Sequence, residues 1–141
     1  MCLVSKSNKP LIAIHDIHCY KALTNIHNEF FSPFRHSRYF LNAVNYASPH
    51  VSNYASIESP SREENYFIEE GFLHCFTDKG VLSLNDDDYN FISPFHTLYL
   101  FECYIPKGSK YFISENGKEI CSNKLYVTNT YSIKGLKNPL Y

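Results

Sequence analysis

Residues 97–105 have the sequence TLYLFECYI, and this stretch decides the fold class. One set of alternating positions carries Tyr, Phe, Cys and Ile, and the other set includes Leu, Leu and Tyr. A strand that is largely apolar on both faces is buried on both sides. We therefore predict a central β-strand here. It is followed by a turn at residues 106–109 (PKGS), where Pro and Gly occupy favoured turn positions.

Further strands and a few short helices are predicted on either side of this central strand. Alternating runs predict strands at residues 17–23, 110–113, 118–121 and 124–131, with Asn116-Gly117 as a hairpin turn. Residues 66–76 are predicted to form one strand with a bulge or bend at Gly71. Thr77 and Asp78 can cap a short helix over residues 79–84, and the acidic cluster at residues 85–88 (NDDD) can cap a second one. The predicted fold class is α+β: a single compact domain with a mainly antiparallel sheet of five or six strands and one to three short helices.

Length and composition restrict the class of protein. A chain of 141 residues with 44% hydrophobic and 16% aromatic residues matches one domain with a real core. The net charge of -1 argues against non-specific nucleic-acid binding through a basic surface. There is no apolar run near the roughly 20 residues of a membrane helix, and the polar start lacks the pattern of a signal peptide. We expect one cytoplasmic domain over residues 1–141, with a flexible lead (1–10), a surface loop (46–65) and an irregular tail (132–141).

Cysteine and histidine positions do not predict a metal site. The five cysteines are odd in number and contain no CxxC pair, so we expect reduced core thiols. His15 and His18 are three residues apart, and on a strand they face opposite sides and cannot share one ion. His74 and Cys75 are adjacent, so they also face opposite sides and cannot act as base and nucleophile. We therefore predict no metal, no cofactor and no catalytic residue.

Basic and aromatic side chains indicate a possible ligand. Arg binds phosphate through two hydrogen bonds, Lys supplies a point charge, and Tyr or His rings can stack on a base. A nucleotide-type ligand uses both features, although the chain has no glycine-rich phosphate loop. The predicted contacts are Arg35, Arg38 and Lys107 with phosphate, Tyr20 and His74 with base or sugar, and Lys21 beside them.

A series of short motifs resembles a known group of proteins. The chain contains I-x-x-x-D-I-x-C-Y-K (12–21), S-P-F (32–34), E-E-G-F (69–72) before His74, C-x-I-P-K-G-S-x-Y (103–111) and S-N-K-L (122–125). This order resembles a family of small bacterial and phage-encoded proteins of unassigned function, over most of residues 10–130 except the 46–65 loop. The resemblance implies a cytoplasmic protein of phage or mobile-element origin.

A weaker similarity is to ADP-ribosyltransferase-like folds. It rests on Tyr20-Lys21 in an early strand and on a late strand that ends in a Pro-Gly turn. Lys21 stands where those transferases have Arg, and Glu119 is the nearest late carboxylate. The similarity implies binding of a nucleotide-like ligand more directly than catalysis.

Three functions follow as hypotheses. The first is a non-enzymatic phage or mobile-element accessory protein that sequesters a nucleotide-type ligand, such as an ADP-ribose derivative or a cyclic nucleotide immune signal. The second is a protein-interaction module, either an inhibitor of a host enzyme or a virion accessory, and a homo-oligomer stays open. The third is an ADP-ribosyltransferase-like enzyme that unites His18 or Tyr20 with a carboxylate such as Glu119. A concave basic cluster favours the ligand, whereas a flat aromatic surface favours a protein partner.

Overall fold

The strand predicted from residues 97–105 lies in the middle of a large antiparallel sheet. The computed structural model describes residues 3–5, 7, 9–33, 37–47, 66–68, 72–84 and 97–134. The strands are β1 (Leu3–Ser5), β2 (Leu11–Ile12), β3 (Ile17–Ile26), β4 (Glu29–Phe31), β5 (Arg38–Tyr39), β6 (Ala43–Tyr46), β7 (Tyr66–Ile68), β8 (Leu73–Phe76), β9 (Leu98–Ile105), β10 (Lys110–Ile113), β11 (Glu119–Ser122) and β12 (Lys124–Lys134). The described helix is α1 (Asp78–Ser83). Within these residues no helix has the length and apolar character to span a membrane.

Ten of the twelve described strands form one sheet, and β1 pairs with β7 in a separate two-stranded sheet. The order in the large sheet is β2-β10-β11-β8-β3-β9-β12-β6, and β4 pairs with both β3 and β5. The mainly antiparallel architecture with few helices confirms that part of the prediction. The strand count exceeds the predicted five or six, because paired segments as short as β2 and β5 are too brief to show a period in the sequence.

The two faces of the large sheet pack against different surroundings. On one face, here called the core face, Phe101, Cys103 and Ile105 of β9 are completely buried in the largest hydrophobic cluster. On the opposite face, here called the helix face, Leu100 is buried in a cluster that Val81 of α1 packs against. Alternation along β9 therefore buries both of its sides, as expected for a central strand.

Helix α1 is fixed at its start to the hairpin formed by β10 and β11. The Thr77 hydroxyl accepts the N–H of Gly80 at 3.0 Å, which is the predicted N-cap. The same hydroxyl donates to the main-chain oxygen of Gly117 at 2.6 Å, and the N–H of Thr77 donates to that of Lys118 at 3.0 Å. Gly117 has φ +74, which confirms the predicted tight turn.

The turn after β9 is also confirmed. The N–H of Ser109 donates to the main-chain oxygen of Pro106 at 3.0 Å, and Gly108 between them has φ +88. Gly108 donates in turn to the main-chain oxygen of Ala13 at 2.7 Å, so the turn holds the segment before β3 in place.

Three local predictions differ from the structure. Residues 66–76 do not form one interrupted strand: β7 pairs with β1, whereas β8 pairs with β11 and β3. The lead, expected to be flexible, contains β1, in which Leu3 is completely buried. The tail was expected to be irregular from residue 132, but β12 continues to Lys134. Its pairing with β9 resumes after a register shift between Val127 and Tyr131, and the alternation of residues in the sequence does not show such a shift. The predicted second helix, Gly71 and residues 48–65 of the predicted loop lie outside the described residues.

Candidate functional site

The predicted ligand contacts in β3 point to opposite sides of the sheet. Tyr20 lies on the helix face and Lys21 on the core face, since neighbours in a strand alternate. Lys21 does approach His74, but its Nζ donates to the main-chain oxygen of His74 at 2.7 Å. His74 precedes Cys75 of the core-face cluster in β8, so its imidazole belongs to the helix face.

The two described cations predicted to bind phosphate have separate surroundings. Arg38 in β5 lies 3.4 Å (Nη2 to Oε1) from Glu29, and its guanidinium stands 4.5 Å from the centre of the Phe40 ring. Lys107 is exposed in the turn after β9, where its main-chain N–H donates to Asp16 Oδ1 at 2.9 Å. Arg38 therefore already has a carboxylate partner at its own edge of the sheet.

The register separates these two cations along β3. Arg38 pairs with Phe31 of β4, and Phe31 pairs with Thr24 near the end of β3. Lys107 lies two residues after Ile105, which pairs with Ile17 at the start of β3. Seven residues of strand correspond to roughly 23 Å. Arg38 and Lys107 thus do not converge on one phosphate. Arg35 lies outside the described residues and stays a prediction.

A different constellation assembles around His18 on the helix face. His18 Nδ1 lies 2.7 Å from Asp78 Oδ1, and His18 Nε2 lies 3.1 Å from Glu102 Oε1. The Tyr20 ring meets the imidazole edge-on at 4.9 Å between centroids, and the Tyr104 ring lies at 5.3 Å. We call these five residues the His18 cluster. A protonated imidazole can donate to both carboxylates at once, whereas a neutral one can donate to only one.

Three elements position the His18 cluster. The pairing of β3 with β9 places His18 opposite Tyr104 and Tyr20 opposite Glu102. Asp78 is the first residue of α1, and the capping bonds of Thr77 hold that end of the helix. The main chain of Glu102 accepts the Thr128 hydroxyl at 2.8 Å, where β12 shifts register. The cluster therefore depends on long-range pairing.

The His18 cluster is acidic and open to water. The side chains of His18, Asp78 and Glu102 are 27%, 64% and 38% exposed. Burial raises the pKa of Tyr20, and the negative charges of Asp78 and Glu102 raise it further. Such a site attracts a cation or hydrogen-bond donors and repels phosphate.

Aromatic side chains extend from the His18 cluster across the helix face. His18 pairs with Tyr104, Tyr104 with Tyr126, and Tyr126 with Val44. Directly opposed residues share a face, so these four form a continuous row, here called the aromatic row, over β3, β9, β12 and β6. At about 4.8 Å between strands, it spans roughly 14 Å. Tyr46 follows on the same face of β6 and is 67% exposed.

The arrangement required by the transferase hypothesis is not formed by the described residues. Tyr20 pairs with Phe76, and Phe76 pairs with Glu119, so Phe76 stands between the two candidate side chains. Phe76 is buried in the cluster that Val81 of α1 packs against. Burial raises the pKa of Glu119, and the buried Phe76 separates this carboxylate from Tyr20.

Four of the cysteines lie in the core, as the sequence predicted. Cys19, Cys75, Cys103 and Cys121 are free and buried. Within the described ranges, no group of three or more His, Cys, Asp or Glu side chains is arranged to hold a metal ion.

Comparison with protein-family models, curated proteins and solved structures gives no match to this chain.

Sequence reasoning missed Asp78 and Glu102 as partners of His18. Asp78 was expected only to help cap a helix, and its distance from His18 is 60 residues along the chain. Glu102 did carry a signal, because it is the one charged residue in the otherwise apolar stretch 97–105. A lone carboxylate in a central strand must reach solvent or a partner, since burial without one is costly.

Proposed function

We propose that this protein is a non-enzymatic protein-interaction module whose helix face binds an arginine-containing segment of a protein partner. The observation that carries this proposal is the aromatic row, which begins at the acidic His18 cluster. Tyr104 and Val44 in the row are 38% and 37% exposed, and Tyr126 between them is partly exposed. Apolar side chains that lie side by side at a surface are characteristic of a binding site.

The acidic end of the row favours a guanidinium group. Asp78 and Glu102 each use one oxygen for His18, and both side chains are solvent-accessible. A guanidinium is planar, so it can pair with a carboxylate through two hydrogen bonds and also stack on a tyrosine ring. Tyr20 and Tyr104 supply such rings on either side of the imidazole.

The opposite end of the row has a different charge. Lys124 pairs with Tyr46, so it lies beside the row at the β6 edge. The surface therefore changes from acidic at the His18 cluster to a single cation, Lys124 of β12, near the other end of the row, which favours a partner segment bound in one direction. Tyrosine is also among the residues that contribute most to protein interfaces.

The nucleotide hypothesis stays a prediction with less support. Its described cations, Arg38 and Lys107, lie at opposite ends of β3, and Lys21 is on the other face from Tyr20. A phosphorylated ligand needs several cations at one place. The resemblance implies a phage or mobile-element origin, but it points to no such group of cations.

Peptide titration of the isotope-labelled protein tests the proposal. The probes are a short arginine- and tyrosine-containing peptide and a matched peptide in which glutamate replaces arginine, followed by amide NMR shifts. We expect saturable shifts at residues 18, 20, 102, 104 and 126 with the arginine peptide only. The double variant Asp78→Asn, Glu102→Gln should weaken binding about tenfold or more, because it removes both charges.

Two comparisons make the test decisive. The variant Glu29→Gln removes an exposed carboxylate at the far edge of the sheet and should leave the titration unchanged. A thermal-shift series with NAD, ADP-ribose and a cyclic dinucleotide, with chromatography of the recovered compound, covers the other hypotheses. Stabilisation by an intact nucleotide with no peptide response would replace our proposal by nucleotide binding, and conversion of the nucleotide would indicate an enzyme.

A further inference from the structure

Both ring nitrogens of His18 lie within hydrogen-bond distance of a carboxylate. Nδ1 is 2.7 Å from Asp78 Oδ1, and Nε2 is 3.1 Å from Glu102 Oε1. A neutral imidazole has one N–H and one lone pair, so one of its nitrogens would turn a lone pair toward a carboxylate oxygen. Only the protonated ring donates to both carboxylates. The two contacts of His18 therefore depend on a single proton.

This proton decides how much of the two carboxylates is open to a ligand. The protonated ring uses one oxygen of Asp78 and one of Glu102. A guanidinium that binds a carboxylate through two hydrogen bonds needs both of its oxygens. The protonated ring also adds one positive charge beside the two negative ones, so the site becomes more negative when the proton leaves. A protonated His18 and a bound guanidinium thus compete for the same oxygens.

The groups that face the imidazole come from three elements. Asp78 belongs to α1, Glu102 and Tyr104 belong to β9, and Tyr20 belongs to β3. Burial, and then the charges of Asp78 and Glu102, raise the pKa of Tyr20, so its hydroxyl is neutral at pH 7. Carboxylates ordinarily titrate near pH 4 and tyrosines near pH 10, whereas histidine titrates between about pH 5 and 8. Histidine is the residue type in this cluster that changes charge around neutral pH.

Titratable groups just outside the His18 cluster have other partners or positions. Asp16, which precedes β3, accepts the main-chain N–H of Lys107 on Oδ1 at 2.9 Å. By the strand register, His74 of β8 lies four residues away from His18 along β3, and Lys124 lies near the other end of the aromatic row. In the described part of the chain, the charged groups that contact the imidazole are therefore the two carboxylates.

We propose that a proton on His18 and the arginine of the partner segment compete for Asp78 and Glu102, so that the helix face releases its partner as the pH falls. This inference rests on the proposed function, because the arginine segment is the ligand whose affinity the proton controls. Linkage makes the effect reciprocal, so arginine binding must expel the proton to the same extent that the proton weakens binding. A unit charge about 4 Å away changes the affinity for a cation about fivefold in water, and more where water is partly excluded.

Calorimetric titration of the full chain with the arginine peptide at several pH values tests the competition. The peptide is acetylated, amidated and free of histidine, and the ionic strength is constant, so that only the protein titrates. We expect the dissociation constant to fall about fivefold or more from about pH 5.5 to about pH 8. Near about pH 6.5, titrations in two buffers of different ionisation enthalpy should show release of a fraction of one proton per bound peptide.

Two histidine variants assign the effect to one ring. His18→Gln keeps an amide that can donate to a carboxylate but cannot take up a proton, so its affinity for the peptide should not change with pH. The matched control is His15→Gln, since His15 is exposed and its Nδ1 lies 2.9 Å from the main-chain oxygen of Asp16. This control should keep the wild-type pH dependence. Circular dichroism checks the fold of both variants, and the wild-type proton release stands without any variant.

The outcomes separate the competition from the proposed function. Peptide binding with a pH-independent affinity, binding with proton uptake, or an equal pH dependence in His18→Gln would overturn the competition and leave the arginine site in place. Failure of the arginine peptide to bind at any pH in this range would overturn both.

Discussion

Gly80 of α1 rests directly against the main-chain oxygen of Lys118 in the β10–β11 hairpin. A Cβ added to Gly80 would overlap that oxygen, and the backbone of Lys118 cannot move aside without breaking its bond from the Thr77 N–H. The close contact at Gly80 therefore packs α1 against the hairpin. The first residue of the same helix, Asp78, contacts His18.

Gly80→Ala should destabilise the protein by about 2 to 4 kcal/mol, measured by urea unfolding. The sign is informative, because alanine normally stabilises a helix interior by about 1 kcal/mol relative to glycine. Leu82→Ala in the same helix, at a side chain that is 86% exposed, should change stability by less than about 0.5 kcal/mol. Equal or greater stability of Gly80→Ala would mean that α1 is not packed this closely.

Thr77→Ala should cost about 1 to 2 kcal/mol of unfolding free energy. The hydroxyl both caps Gly80 at 3.0 Å and donates to Gly117 at 2.6 Å, so its removal leaves two main-chain groups without this partner. Thr77→Ser retains the hydroxyl and should recover most of the loss. If alanine and serine gave the same stability, the hydroxyl would have no such role.

Asn45→Ala should cost about 2 to 4 kcal/mol, since Asn45 is buried and its amide joins three parts of the chain. Its Oδ1 accepts from Phe40 at 2.8 Å, and its Nδ2 donates to main-chain oxygens of Phe40, Ala43 and Leu125 at 3.0, 3.3 and 3.4 Å. The control is Asn25→Ala, whose exposed side chain makes one local bond to Asn28, and it should cost less than about 1 kcal/mol. Thermal unfolding of the two variants measures the difference in their stability. A similar loss of stability in both would show that the buried amide of Asn45 does not hold these segments together.

Glu119→Gln should stabilise the protein at pH 7 and lose that advantage at pH 4. Burial raises the pKa of Glu119 in the folded state, so the folded state holds this proton more tightly than the unfolded chain. The stability that the bound proton contributes is fully present below the pKa that Glu119 has in the unfolded chain. It is lost as the pH rises through the higher pKa that Glu119 has in the folded protein. Glutamine removes this dependence, with a gain of about 1 kcal/mol or less at pH 7 in urea unfolding. A variant that is less stable at both pH values would show that the carboxylate makes a stabilising contact instead.

Local sequence signals predicted the parts of the fold that depend on a few neighbouring residues. The central strand at residues 97–105, the cap at Thr77 and the turn at Gly108 follow from alternation, capping preference and backbone freedom. Short strands such as β2 and β5 were not predicted, because their conformation comes from the strands they pair with.

The candidate sites depended on contacts that no local pattern contains. The sequence by itself determined that His18 and Cys19 face opposite sides of one strand, since alternation is a property of the extended backbone. Only the tertiary structure decided that Asp78 and Glu102 meet His18 on one side, while Cys103 lies opposite Cys19 on the other. These contacts join residues as many as 84 positions apart, and their register is set by strand pairing across the whole sheet.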